Sequence, residues 1–181
     1  MYRDLRQFSR RGYVHVARFR EDMGDAGNDD PVLRESTRLR CVLTFEGQTS
    51  YDPRFITRVI GGNAHTHPAL AQLFGVSPDI WPELDDTAAS LVEDAAAINF
   101  LTKDAPPVFA IYKRENRAPT NEDDPNFGIH HPRFGIHLKA EMDALGLECT
   151  IHNDPGMEGD PDARTTAHQL ATDFLLRHLA P

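Results

Sequence analysis

Two segments decide how this chain is read: Ala105-Pro106-Pro107-Val108-Phe109-Ala110-Ile111-Tyr112 and His130-His131-Pro132-Arg133-Phe134, the latter running on through Leu138, Met142 and Leu145 to Gly146 and Leu147-Glu148-Cys149-Thr150-Ile151. The first is a short apolar run bounded by prolines and a polar loop, the pattern of a strand buried on both faces of a parallel sheet. In the second, proline stands in the first turn of a helix whose apolar residues recur at helical spacing until a glycine stops it. The chain then turns straight back into a second apolar run. Strand, helix and strand in that order form a βαβ unit, so the two strands are expected to be parallel with a right-handed crossover.

Working outward, Arg38 to Phe45 reads as a strand of the sheet, rich in branched and aromatic side chains and closed by Gly47. Tyr51-Asp52-Pro53 starts a short helix with Phe55, Ile56, Val59 and Ile60 as its stripe and Gly61-Gly62 as its stop, and Pro68 to Phe74 is a second one ending at Gly75. Pro78 to Asp86 is a loop carrying Trp81. Thr87 is the expected N-cap of a helix over Ala88 to Ala97, with Leu91, Val92, Ala95 and Ala96 on its apolar face. A polar loop is expected between Tyr112 and His130, and another from Asn153 to Arg164. A last helix over Thr165 to Leu179 would place Ala167, Leu170, Ala171, Phe174 and Leu175 on one side. Residues 1–19 are poorly defined, leaning to helix, and Asp22 to Asp30 is a surface loop leading to a capped turn at Asp30-Pro31. The element order gives an α/β fold with a short, mostly parallel sheet flanked by helices, and the length of 181 residues suits a single domain over 1–181.

Composition narrows the function classes. With 40% hydrophobic and 26% charged residues the chain has ordinary globular usage. Its net charge of -9 argues against a nucleic-acid surface, which needs clustered Lys and Arg. No apolar run is long enough to span a bilayer, and residues 1–20 are too polar for a secretory signal, so a cytoplasmic location is the expectation for the chain as written. Cys41 and Cys149 both lie in apolar runs and read as small buried hydrophobes. Neighbouring strands would bring them close enough for a disulfide, which a reducing cytosol would oppose.

Several segments taken together resemble the C-terminal part of an α/β-hydrolase. They are Asp29 to Arg38 leading into the Cys41-Val42 strand, Gln48 to Pro53, Ala97 to Phe100 with Asp104 to Phe109, His130 to Gly135, and Leu145 to Cys149. The likeness is to the esterase/lipase-like group related to feruloyl and acetylxylan esterases, over roughly residues 20 to 179. It implies a Ser-His-acid triad acting on a small ester ligand, with the serine on a G-x-S-x-G elbow. This sequence has no such elbow. Ser9, in Gln7-Phe8-Ser9-Arg10-Arg11, lies near the family's position but has bulky neighbours on both sides, and Ser77 has one glycine and no strand before it. The acid should follow Val108 to Tyr112, where Asn116 stands at the aspartate position and Glu115 one residue early. The base should follow the strand ending at Ile151, where Pro155-Gly156-Met157 carries no histidine and His152 sits at the strand end.

The resemblance thus implies a truncated hydrolase relative without catalytic residues of its own. The alternative is an ester hydrolase whose serine-bearing half lies outside this chain. In either case the first strands of the fold would precede Met1, leaving an exposed sheet edge beside Arg38 to Phe45 that invites self-association. A third reading is a histidine-loop metal protein built on His65-Thr66-His67. The plainer role for these histidines, and for His130 and His131, is to cap or steady a neighbouring helix, while His178 would favour the C-terminal dipole of the last one. The acidic loops at 21–30 and 121–125 lack the spacing of a preformed calcium loop, and no nucleotide-binding motif is present, so no cofactor is expected.

Overall fold

A computed structural model describes residues 19–77 and 80–180. Its centre is the strand β2 (Val108–Tyr112), all five residues of which are buried. β2 lies between β1 (Val42–Phe45) and β3 (Cys149–Asn153), and both pairs are parallel, with Val42 beside Val108 and Val108 beside Cys149. Side chains of a strand alternate between faces, so β2 serves two cores. Val108, Ala110 and Tyr112 face one side, which is filled by Phe55, Ile56 and Ile60 of helix α1 (Pro53–Val59) and its cap, Leu70 of α2 (Pro68–Phe74), and Phe134, Leu138 and Met142 of α5 (Arg133–Ala144). Phe109 and Ile111 face the other side, against Met157 and against Ala167, Ala171 and Phe174 of the long helix α6 (Pro161–Leu179). The α/β arrangement, with three parallel strands flanked by helices, is the one expected.

Several helix starts in this chain share one device. Asp52, Asp124, Asp154 and Asp160 each accept a hydrogen bond from the backbone N–H two residues on, each is followed by proline, and His67 before Pro68 does the same with its ring nitrogen. The segment between Tyr112 and His130, expected to be loop throughout, contains one such start and forms the helix α4 (Pro125–Ile129). The last helix likewise begins at Pro161, four residues before the expected Thr165, because Asp160 caps it. In α3 (Asp86–Asp94) the cap is Asp85, not Thr87: its carboxylate accepts from the Ala88 N–H at 2.8 Å. Only part of the expected α3 face is inside. Val92 and Ala96 are buried, whereas Leu91 is 50% exposed, and Leu170 of α6 also lies largely in solvent.

Both outer strands start later than the sequence suggests. β1 begins at Val42, whose N–H donates to Pro107 O at 2.9 Å; Pro106 and Pro107 end the ladder there, having no N–H to donate. The preceding Arg38 belongs to a loop held by Asp22, which accepts from Ser36 Oγ and the N–H groups of Gly24 and Thr37; these bonds keep its carboxyl well below the usual carboxylate range. β3 begins at Cys149 because Leu147 still closes α5, its N–H donating to Met142 O at 2.9 Å beyond Gly146, whose φ of 74° is the left-handed stop. Cys41 and Cys149 form no disulfide, and the intervening β2 places their strands two spacings, roughly 10 Å, apart. They are not disulfide partners. Three short 3-10 turns complete the path, at Ala64–Thr66, Ala97–Phe100 and Pro155–Glu158. The expectation of helix over residues 1–19 lies outside the described residues except at Phe19, which is buried in the first core.

The contact between α5 and β2 gives a sharp packing test. A Cβ at Gly135 would stand 2.4 Å from Cε2 of the buried Tyr112 ring. Gly to Ala in a helix interior ordinarily stabilises by about 1 kcal/mol. Here overpacking is predicted to reverse the sign, so that Gly135→Ala lowers the free energy of urea unfolding by about 1–3 kcal/mol.

Candidate functional site

In parallel sheets, ligands are usually held beyond the carboxyl ends of the strands. At that end of this sheet the chain leaving β1 is unusual. Glu46, Gln48, Thr49 and Ser50 are all buried, although such residues normally face water. Glu46 has a φ of 49°, a left-handed turn that costs a non-glycine residue on the order of 1 kcal/mol. The turn still lets its N–H donate to Ile111 O at 2.7 Å.

Groups from distant parts of the chain hold this segment down. The Tyr112 hydroxyl donates to Gly47 O at 2.6 Å, Gln48 Nε2 to Ile129 O at 2.6 Å, and the Ile98 N–H to Thr49 O at 3.1 Å. His130 Nδ1 lies 3.2 Å from Glu46 O, which makes that nitrogen the donor. The Arg114 guanidinium stands 3.8 Å from the Glu46 carboxylate. Gln48 Oε1 and Thr49 Oγ1 are buried with no hydrogen-bond partner among the described residues.

His131, fully buried beside this segment, is locked into one tautomer. Its Nε2–H donates to Arg117 O at 2.8 Å and its Nδ1 accepts from the Arg133 N–H at 3.2 Å. Burial pushes its pKa below that of a free imidazole, the bond to the Arg117 carbonyl opposes this, and the nearby Arg133, Arg117 and Arg114 add to the depression. Arg117 also grips Asp123 at 2.5 Å and stacks its guanidinium 4.0 Å over the Phe127 ring. Asp123 is held well below the usual carboxylate range, by Arg117 first and by the Thr120 N–H second. The loop after β2 is therefore a fastened structure built on α4.

The positions expected to carry a triad are not brought together. Asn116 is exposed in that loop, and Glu115 lies 3.8 Å from Arg117. His152 is the fourth residue of β3, beside Ile111, with its Nε2 buried and unpartnered among the described residues. Among the described residues no hydrogen bond or ion pair joins it to Asn116, Glu115 or a serine. The turn Pro155–Glu158 places Met157 in the second core. Ser77 follows α2 rather than a strand, and its carbonyl accepts from Ile80 and Trp81. Ser9 lies outside the described residues.

Structural bonds run through the histidine loops. His67 caps α2 and bonds Asn126 at 3.0 Å, the His65 carbonyl accepts from Trp81 Nε1 at 2.6 Å, and His178 lies 3.2 Å from Glu148 at the end of α6. Among the described residues no three metal-ligating side chains converge. In the acidic loops Asp22, Asp25, Asp30 and Asp124 spend their carboxylates on turns, and Asp123 on Arg117 and the Thr120 N–H. A cleft of about 390 Å³ lies at the opposite end of the sheet, among Phe19, Arg20, Asp22, Arg38, Leu39 and Asp104.

The sequence did not point to Glu46, Gln48, Thr49 or His131 as interior groups. The one local hint is Phe45-Glu46-Gly47, where a charged residue directly abuts a confident strand.

A crystal structure of an acetyl ester-xyloside bifunctional hydrolase from Caldicellulosiruptor lactoaceticus is similar to this chain, with a TM-score of 0.62 at 17% identity, covering 91% of this chain and 52% of that one. The likeness is one of fold, and the chain spans about half the length of that hydrolase. No protein-family model matches, and no curated protein does. No helix among the described residues is long and apolar enough to cross a membrane.

The depressed pKa of His131 has a definite sign. Between the native pKa and the free value of about 6.5, the unfolded chain binds a proton that the native state refuses. Stability should therefore be complete above about pH 6.5 and fall as the pH drops below it. His131→Gln, followed by thermal unfolding from pH 7.5 to 5, should flatten that decline relative to wild type.

Proposed function

We propose that this chain is an esterase/lipase-like member of the α/β-hydrolase superfamily, a single domain over 1–181 corresponding to the C-terminal part of that fold, which does not hydrolyse esters by itself. Its remaining role would be to bind a small ester ligand or to take part in an assembly. Three things support this reading: the order and spacing of the segments that resemble the family, the fold likeness to a bifunctional ester and xyloside hydrolase, and the share of that hydrolase which the chain spans.

The observation that carries the absence of hydrolysis is at the strand ends. Where an acid and a base belong, Asn116 stands at the acid position with Glu115 beside it 3.8 Å from Arg117, and Met157 stands in the Pro155–Glu158 turn. A serine is activated only when an imidazole is within reach and is itself oriented by a carboxylate. A second reading keeps the activity: the serine half is supplied by another polypeptide. It is favoured by the half-length match alone.

The purified full chain, assayed with p-nitrophenyl acetate and labelled with a serine-directed fluorophosphonate, is expected to give the buffer rate and no labelled serine. A burst with one label per chain would overturn the inactive reading. Labelling that appears only on adding a serine-bearing polypeptide of the same fold would establish the second.

A further inference from the structure

Residues 114–127, which lead from β2 into α4, are fastened to the rest of the molecule largely by side-chain hydrogen bonds. Asn153 Nδ2 donates to Arg114 O at 2.9 Å, Asn63 Nδ2 to Asp123 O at 2.6 Å, and the His67 Nε2–H to Asn126 Oδ1 at 3.0 Å. A further tie is His131, whose Nε2–H donates to Arg117 O and whose ring meets that of Phe127 edge to face, 5.5 Å between centroids. The Arg117–Asp123 pair and the Arg117–Phe127 stack lie within the segment itself. A segment held in this way, with few buried apolar contacts, opens at low local cost. Both of its ends grip the polar turn after β1. Arg114 faces Glu46, and just beyond Phe127 the chain offers Ile129 O to Gln48 and the His130 Nδ1–H to Glu46 O.

We propose that residues 114–127 form an acid-released cover on the carboxyl end of the sheet, with His131 as its latch. The latch depends on a bare nitrogen. His131 Nδ1 accepts the Arg133 N–H at 3.2 Å, so a proton added there turns the acceptor into a second donor facing the first. The ring is fully buried, and the new charge meets no water. The ionised groups around it are cations, Arg114 and Arg117 from the segment and Arg133 from α5. The carboxylates in reach of those cations are already engaged, Glu46 facing Arg114 and Asp123 shared between Arg117 and the Thr120 N–H.

A buried imidazolium in such surroundings has to reach water, so one wall of its pocket gives way. The α5 wall is the stronger one. Phe134 and Leu138 sit in the first core, and the Arg133 guanidinium donates to Ile60 O at 2.8 Å. The segment wall is held by single hydrogen bonds, so the bond to Arg117 O breaks and the segment opens. The two other histidines in this region are not acid-sensitive in the same way. His130 donates from Nδ1, which it does in either charge state, and His67 is only half-buried, so water meets a charge on it. Opening bares the polar turn at the end of the sheet where parallel sheets hold ligands. The device needs no hydrolase chemistry.

The test is amide hydrogen exchange of the full chain at pH 7.5 and 5.5, corrected for the intrinsic exchange rate, in wild type and His131→Gln. The reporters are the Thr120 and Phe127 amides, bonded to Asp123 Oδ2 and Asp124 O, against Phe109, Ala110 and Ile111 of β2. A loop and a five-residue helix do not keep these bonds once released. An opening that lets His131 take up a proton grows about tenfold from pH 7.5 to 5.5. Protection of Thr120 and Phe127 should therefore fall about tenfold in wild type, stay far below that of β2 at both pH values, and be independent of pH in His131→Gln. Should that variant not fold, the wild-type comparison of the segment with β2 decides. Segment protection that does not change with pH, a fall of the same size in His131→Gln, or a segment that exchanges only together with β2 would each overturn the latch.

Discussion

Everything in this molecule depends on covering β2 from both sides. Five consecutive buried residues, none with a charge, leave a strand that is tolerable only between two apolar layers. Burying each of the larger side chains contributes about 1.5–3 kcal/mol, which is why the chain commits a helix layer to each face. The two layers are unequal. The first takes Phe55, Ile56, Phe134, Leu138 and Met142, with the Phe55 and Phe134 rings stacked 6.2 Å apart. The second is thin, with Ala167, Ala171 and Phe174 as the only fully buried side chains that α6 supplies. Because Tyr112 ends β2 with its ring in the first core and its hydroxyl on Gly47, the same strand that anchors the core also closes the polar turn at the carboxyl edge.

That turn explains why a site that is polar in composition is structural in arrangement. Glu46 to Ser50 would form a hydrophilic loop if left to itself. Three separate segments draw it inside: Tyr112, Ile98 and His130 satisfy its backbone carbonyls, and the Ile129 carbonyl takes the Gln48 side-chain amide. The histidines behave alike: His67 and His131 each spend one ring nitrogen on the backbone of a helix start and the other on a distant segment, the Asn126 side chain of α4 for His67 and the Arg117 carbonyl for His131.

How much of this was legible follows from how local each signal is. β2, α1, α2 and α5 could be read because apolar spacing, proline starts and glycine stops lie within the element itself. α4 could not, since five residues are too few to show a helical period, and Asp124-Pro125 was its one mark. Thr87 was read as a cap on residue type, but the Asp85 carboxylate, two residues earlier, sets the helix start. The late start of β3 depends on the capping bond from Leu147 back to Met142, which no strand pattern reveals. The burial of Gln48, Thr49 and His131 is set wholly by distant partners, so the polar edge was the least legible region, and no hydrogen bond joins His152 to the adjacent pair Glu115 and Asn116.

The central claim is that β2 is the interior strand and that, among the described residues, β1 is an edge whose backbone alternates between a bonded and an open side. Residue-resolved amide hydrogen exchange in dilute solution tests it most directly. The account predicts that Phe109, Ala110 and Ile111 exchange only through global unfolding, and that along β1 the amides of Val42, Thr44 and Glu46 are slow while those of Leu43 and Phe45 are fast. Uniform protection along β1, or faster exchange in β2 than in β1, would contradict it.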